Sequence, residues 1–345
     1  MPPTNRAAFL TAAKAYPLTI SAAPYPTPGP NELLIRNHAV AINPVDWGIQ
    51  SLAIFPITYP AIIGFDVAGT VVEVGSSIDP AQFKVGDRVL GHAHGLRVQR
   101  QECAGFQEYT VLVGNTMAKI PDGMKFEEAA VLPLCLSTAA TGLFLESHLG
   151  LDLPKVGVER GSKGKAVLVW GGASSVGCNV VQLAVAAGYE VVVTASEANF
   201  ELMKKLGASQ VFDYKKDNVV DELVEALRSK EFAGVYDAIG FHGAIQNCVE
   251  IASRLDGKKM VVTAQHVPED LSHDGIGVEF VVGDSTRDDD IGKAVYVDFL
   301  PEALAEGSFL PAPEPEVVGH GLEHIQAAID TWKKGVSAKK IVVTL

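Results

Sequence analysis

The stretch VLVWGGASSVG, Val167 to Gly177, decides how this chain is read. An apolar run ends in two glycines and breaks into small residues, as a strand does when it turns tightly into a helix. A phosphate-binding turn needs little side chain where backbone approaches a pyrophosphate. It also needs a helix N-terminus whose free N–H groups and dipole face the anion. Gly171 and Gly172 form the turn, Ser174 and Ser175 are small, and Gly177 permits close packing of helix on strand. Ser174 stands where the second glycine of G-x-G-x-x-G is expected. Its side chain reduces the closeness of approach but brings a hydroxyl that can bond a phosphate oxygen.

Working outward, KAVLVWGG from Lys165 is followed by a helical segment (Ser175 to Ala187) and the strand EVVVTA. A helix (Asn199 to Leu206), SQVFDY, a helix (Asn218 to Leu227), GVYDAIG, a further helix and KKMVVTA come next. Strands alternating with helices of about 10 to 15 residues indicate βαβ units and a doubly wound parallel sheet. Cofactor choice is read at the end of the second strand, where an acid accepts bonds from a ribose 2'-OH. Here Thr194, Ala195 and Ser196 occupy that place. The missing acid leaves room for a 2'-phosphate, with Ser196 and Asn199 as neutral donors, and the preference is NADPH. Glu197 is the counter-reading, since a register shift of one residue makes it the NAD-type acid. Tyr214 can cover an adenine face, with Lys215 as a nearby countercharge.

From Glu32 to about Val113 the chain reads as short strands broken by Gly and Pro turns: LLIRNHAVAIN, FDVAGTVVEVG, VGDRVLGH and FQEYTVLV. That pattern predicts a compact, mostly β, barrel-like domain. After Gly283 an acidic loop leads to a helical stretch (Ile291 to Ala305), a Pro-rich turn, a helix (Leu322 to Lys334) and a last strand, KKIVVTL. So short a tail makes a poor independent core and is expected to return to the first domain. The expected boundaries are 1–130, 131–285 and 286–345.

A chain of 345 residues exceeds the roughly 250–300 at which single cores stop growing, so two domains are the default. A formal charge of -13 argues against nucleic acid or an anionic membrane surface as partner. The N-terminus MPPTNRAAF has no basic region followed by an apolar one, the C-terminus carries no retrieval signal, and the expected location is cytoplasmic. The uncharged run Ala129 to Leu145 is interrupted by Pro133, Ser137, Thr138, Thr141 and Gly142, which speaks against a membrane span. Cys103, Cys135, Cys178 and Cys248 form no C-x-x-C pair and are expected to be free thiols. HGLEH (His320 to His324) and GHAHG (His92, His94) resemble metal motifs in spelling, and neither is assigned a metal. Monomer and homodimer both stay open.

The order of parts, AINPVDW and IIGFDVAGTVVEVG, then VGDRV, then the nucleotide domain and a returning tail, resembles the medium-chain dehydrogenase/reductase superfamily. The resemblance implies an α/β fold, with a GroES-like β-rich catalytic domain and a Rossmann nucleotide-binding domain. Zinc alcohol dehydrogenases of that superfamily set a Cys in the first segment, a His and Glu in the second, and another Cys just after the front domain. Here Asn43, Phe65 with Asp66, and Leu134 hold those positions, so zinc lacks its ligands and no metal is expected.

Without a Lewis acid, oxidation of a simple alcohol loses its means of stabilising the alkoxide, whereas reduction of a polarised alkene or quinone does not need one. The segments LPLCLSTAATGLF, VFDY and KKGVSAKKIVVTL resemble the zinc-independent quinone-oxidoreductase-like branch and its fungal trans-acting enoyl reductases. This likeness implies hydride transfer to the β-carbon of an α,β-unsaturated carbonyl, small or carrier-bound, with a polyketide synthase as the implied partner. It places Val45, Asp46, Trp47 and Gly48 beside the cofactor, with Ser174, Ser175, Val176 and Gly177 and the segment Glu197 to Phe200. Tyr214, Val262, Thr263, Ser337 and Ala338 join them. Related enoyl reductases often carry a lysine where Gly48 stands. The run Leu134 to Thr141 and the loop Val281 to Ser285 would border the substrate, with Tyr59, Ser137 and Thr138 as donors to a developing enolate. A quinone reductase and a catalytically inactive nucleotide-binding protein are the alternatives.

Overall fold

The structure, a computed structural model, describes residues 4–272 and 275–345. The chain divides into two units, Met1–Leu134 with Glu314–Leu345, and Cys135–Pro313.

In the first unit, apolar strands alternating with Gly and Pro turns build two sheets. Thr19–Ala23, Asn5–Leu10 and Ala61–Ile62 pair antiparallel in the smaller. The larger runs in the order Glu314–His320, Lys339–Thr344, Leu33–Ala41, Asp66–Val74, Arg88–His92 and Met117–Lys119, with Tyr109–Leu112 pairing Leu33–Ala41 off that path. At Gly69 a Cβ would lie 2.0 Å from the Arg36 carbonyl oxygen, so a glycine is required where these two central strands shift register. Val342 pairs with Ala41 and Ala41 with Asp66, which makes neighbours of residues near 40, 66 and 340. Ile35, Val40, Val67, Phe106, Ile341 and Val343 meet in the core beneath.

The second unit holds a six-stranded parallel sheet in the order Gln210–Asp213, Glu190–Ala195, Lys165–Trp170, Glu231–Asp237, Met260–Thr263 and Gly277–Phe280. Fully buried runs such as Val167, Leu168 and Val169 explain the near-continuous apolar strands, as expected when both faces of a parallel sheet are covered. Helices Ser175–Ala186, Phe200–Lys205, Val219–Leu227 and Ala244–Arg254 make the crossovers. The strand order reverses between Lys165–Trp170 and Glu231–Asp237, and in such sheets ligands bind outside the carboxyl ends of the strands at that point.

The tail departs from expectation. The helical stretch Asp290–Glu306 stays with the second unit, and the chain returns to the first at Glu314, not near 286. The reason is burial: Val295, Tyr296, Phe299 and Phe309 are closed off from solvent. The Gln182 amide also clamps Leu310 through both of its backbone polar groups, at 3.0 and 2.7 Å. The first boundary falls after Leu134, inside the helix Pro133–Phe144. No described helix is long and apolar enough to cross a membrane.

Candidate nucleotide site and a buried ion cluster

At the carboxyl end of Lys165–Trp170, Gly171 takes φ +79°, and a Cβ there would lie 2.2 Å from Ile239. A Cβ on Gly177 would lie 2.3 Å from the Gly171 carbonyl oxygen, so these two glycines are needed for conformation and for close packing respectively. Thr194 braces the turn: its hydroxyl accepts the Gly171 N–H at 3.0 Å and its carbonyl accepts that of Gly172 at 2.9 Å. Ser174 is the N-cap of Ser175–Ala186, its Oγ accepting the Gly177 N–H at 3.0 Å. The serine is therefore not a defective glycine but a cap, and its own O–H remains a donor. Ser174, Ser175 and Val176 are all partly open to solvent.

Ala195 pairs with Asp213 across parallel strands, which sets Ser196 and Tyr214 side by side, each one residue past its strand end. Asn199 Nδ2 donates to Ser196 Oγ at 3.1 Å, so the two neutral donors named from sequence form one small cluster. Phe200 is half-buried, whereas Glu197 points to solvent from a single helical turn, Glu197–Asn199. Lys215 Nζ lies 5.9 Å from the centroid of the exposed Tyr214 ring, a cation beside an adenine-sized face.

Sequence reasoning missed Asp237, which ends the strand on the far side of the switch point. Its Oδ1 accepts the N–H groups of Ile239 (3.0 Å) and Gly240 (2.9 Å), and its Oδ2 accepts the Thr263 hydroxyl at 3.2 Å. Burial pushes its carboxyl above the ordinary range, against those three bonds. Thr263 and Val262 are fully buried, so Thr263 shapes this rim through Asp237. The signal lay in VYDAIG, an acid at a strand end two residues before an Ile-Gly turn.

The helix Pro133–Phe144 carries the proposed substrate-side hydroxyls. Ser137 is fully buried with its Oγ 2.8 Å from the Tyr296 hydroxyl, and the half-buried Thr138 accepts the Tyr236 hydroxyl on its carbonyl at 2.8 Å. Tyr296 sits in a π-helical segment, Lys293–Phe299, a distortion frequently found at functional sites. In the neighbouring loop Val281 is buried and Val282 exposed. All four cysteines are buried thiols, and burial pushes Cys178 up to about 12, which makes it an inert thiol.

In the first unit Val45 and Trp47 are half-buried on a short helix, Pro44–Trp47, that continues into a π-helical turn beginning at Gly48. Trp47 stacks at a tilt on Trp332, 6.1 Å between centroids. A Cβ on Gly48 would lie 2.7 Å from the tip of Ile54, so this isoleucine covers the spot from which a lysine would extend. Tyr59 packs half-buried against the core, Ser337 is exposed, and Ala338 takes φ +49°. Asp46 lies fully inside the unit, its Oδ2 accepting the Asn43 N–H at 2.7 Å. Burial raises its pKa to about 8, leaving a protonated carboxyl at neutral pH.

Beside Asp46 lies a second group. Lys340 Nζ donates to Asn43 Oδ1 at 2.6 Å and pairs with Asp66 Oδ2 at 2.8 Å. Asn43 Nδ2 also donates to Asp66 Oδ2, at 2.8 Å, and Asp66 Oδ1 accepts the Leu134 N–H at 2.6 Å. The His92 and His94 rings pack at a tilt with centroids 4.0 Å apart, and His94 Nε2 bonds the Thr116 hydroxyl at 2.7 Å. Burial lowers His92 to about 4, so its ring is neutral. His320 bonds the Thr344 hydroxyl at 3.1 Å, far in sequence and in role from any ligand set.

Residues 29–122 match the model of the alcohol dehydrogenase GroES-like domain, and residues 175–280 match that of the zinc-binding dehydrogenases. Dehydrogenase pigH of Monascus ruber is 46% identical over 373 residues, covering 99% of this chain and 100% of its own. The chain belongs to the medium-chain dehydrogenase/reductase superfamily. Within this superfamily, trans-enoyl reductase himH of Aspergillus japonicus is 41% identical over 343 residues, 99% of this chain and 97% of its own. The Escherichia coli quinone oxidoreductase complexed with NADPH shares the fold at TM-score 0.72 and 19% identity, covering 99% of this chain and 100% of its own. The protein is thus an oxidoreductase of the medium-chain type with a nicotinamide-nucleotide fold.

Zinc, which one superfamily model carries in its name, does not fit the donors of this chain. Phe65 offers no ligand atom, Asn43 and Asp66 already serve a lysine, and Leu134 contributes a backbone donor to Asp66. Among the described residues no group of three or more His, Cys, Asp or Glu converges on one point. The protein is a zinc-independent member of its superfamily.

Proposed function

We propose that this protein is an NADPH-dependent reductase of α,β-unsaturated carbonyl compounds, acting in trans on intermediates carried by a polyketide synthase. The observation that carries the cofactor assignment is the strand end at Ala195. Ser196 and Asn199 stand there as neutral donors, Lys215 lies over the Tyr214 ring at the next strand end, and Glu197 is turned to solvent. A 2'-phosphate is accommodated by that chemistry and repelled by an acid. The name of himH as a trans-enoyl reductase, and the NADPH bound by the structurally similar quinone oxidoreductase, support the reading.

When bound, NADPH would supply the hydride for the β-carbon, and water would supply the proton for the α-carbon. The chain's own part is binding and orientation. The Gly171–Gly177 turn and the first turn of Ser175–Ala186 would hold the pyrophosphate with N–H groups and the Ser174 hydroxyl. Ser137, kept in place by Tyr296, is assigned with Thr138 as a donor to the developing enolate oxygen.

Loss of NADPH absorbance is the test, measured against enones, enoyl thioesters and quinones, with NADH in parallel. Turnover of enoyl thioesters with NADPH preferred is expected. Faster turnover of quinones would assign the site to quinone reduction, and NADPH binding with no acceptor consumed would remove catalysis from the reading.

A further inference from the structure

Asn43, Asp66, Leu134 and Lys340 are far apart in sequence and meet at one point inside the first unit. Adjacent strands bring them there. Asp66 opens the strand paired with Leu33–Ala41, Asn43 follows that strand's end, and Lys340 lies on the returning C-terminal strand beside it. Asn43 and Asp66 are wholly buried and Lys340 is 3% exposed. A lysine is seldom buried this far unless paired, and here two short bonds to oxygen hold it, at 2.6 and 2.8 Å. By the resemblance to the zinc alcohol dehydrogenases, Asn43, Phe65 with Asp66, and Leu134 stand where those enzymes carry their Cys, His with Glu, and Cys.

We propose that Lys340 is the resident cation of this unit, its ammonium donating to Asn43 Oδ1 and Asp66 Oδ2 and supplying the positive charge at this point without a metal. The charge balance supports it. Asp66 and Lys340 cancel, and a divalent cation added beside them brings two further positive charges into a region closed to water, of which loss of the Asp46 proton could offset one. Entry of a metal also requires breaking both bonds of the ammonium. The returning strand thus has a chemical task, delivering the cation, in addition to extending the sheet. The proposal stands independently of the reductase reading, and its test reads no activity.

Four proteins decide it: the wild type, Lys340→Met, Asp66→Asn and the double variant, followed by thermal unfolding with and without EDTA. Metal content is measured by elemental analysis after a zinc soak and desalting. EDTA is expected to leave wild-type melting unchanged, with zinc well below one equivalent. Each single substitution is expected to lower the melting temperature, because it strands one buried charge. The double variant, which strands none, is expected to melt above Lys340→Met. If neither single variant folds, folding of the double variant alone supports the proposal equally. One equivalent of zinc in the wild type that Asp66→Asn lacks would overturn the proposal. So would melting losses that simply add in the double variant, or failure of all three variants to fold.

Discussion

Ser174 Oγ accepts the Gly177 N–H at 3.0 Å, so the residue at the centre of the glycine turn is also the cap of the helix behind it. The two roles are separable. Ser174→Ala removes the cap and should cost about 0.5–2 kcal/mol in chemical denaturation. Ser174→Asp keeps a capping oxygen but sets a carboxylate against the pyrophosphate. It should retain most of the stability while NADPH binding, followed by fluorescence titration, weakens by at least about tenfold. Equal NADPH affinity in Ser174→Asp and wild type would remove the turn from the cofactor site.

Ser196 and Asn199 are bonded to each other at 3.1 Å, and at the end of the neighbouring strand Lys215 lies over the Tyr214 ring. Ser196→Asp introduces the acid that a ribose 2'-OH favours and a 2'-phosphate does not. The ratio of kcat/KM for NADPH over NADH should fall by at least about tenfold, roughly 1.4 kcal/mol, and Lys215→Ala should raise KM for NADPH alone. A wild type that prefers NADH would instead assign the ribose contact to Glu197.

Tyr296 and Ser137 share a buried hydroxyl–hydroxyl bond of 2.8 Å. Tyr296→Phe leaves Ser137 without this partner at an almost unchanged volume, and about 1 kcal/mol of stability should be lost. If Ser137 orients toward the enolate, kcat falls in Tyr296→Phe while KM for NADPH holds. A double-mutant cycle with Ser137→Ala should show the two effects to be coupled.

Asp46 has its pKa raised to about 8 from 3.8, and His92 has its pKa lowered to about 4 from 6.5. Between pH 6.5 and 8 the folded state holds the Asp46 proton and the unfolded state does not, so stability should decline as pH rises through that window. Between pH 6.5 and 4 the unfolded state holds the His92 proton, which lowers stability as pH falls, and Asp46 opposes it. Urea denaturation across pH 5 to 9 should show the alkaline slope in the wild type and its absence in Asp46→Asn. A persistent slope would place the titrating group elsewhere.

Much of this protein was legible in its sequence because local chemistry and local geometry coincide. The apolar run Val167–Trp170, the glycines at 171, 172 and 177 and the βα repeats behind them determine a nucleotide-binding sheet, since one turn needs φ > 0 and one helix needs close approach. The missing acid after Ala195 and the missing ligand at Phe65 were equally readable, because both are properties of single positions. Tertiary structure decided what depends on partners distant in the chain. Burial of Tyr296 and Phe299 kept the stretch Asp290–Glu306 in the second unit, and strand pairing at Val342 delivered Lys340 to Asn43 and Asp66. The cap at Ser174 and the carboxylate at Asp237 likewise became visible once their bonds were known. A sequence states which groups a chain carries, and desolvation, which sets their energies, depends on the neighbours that folding brings to them.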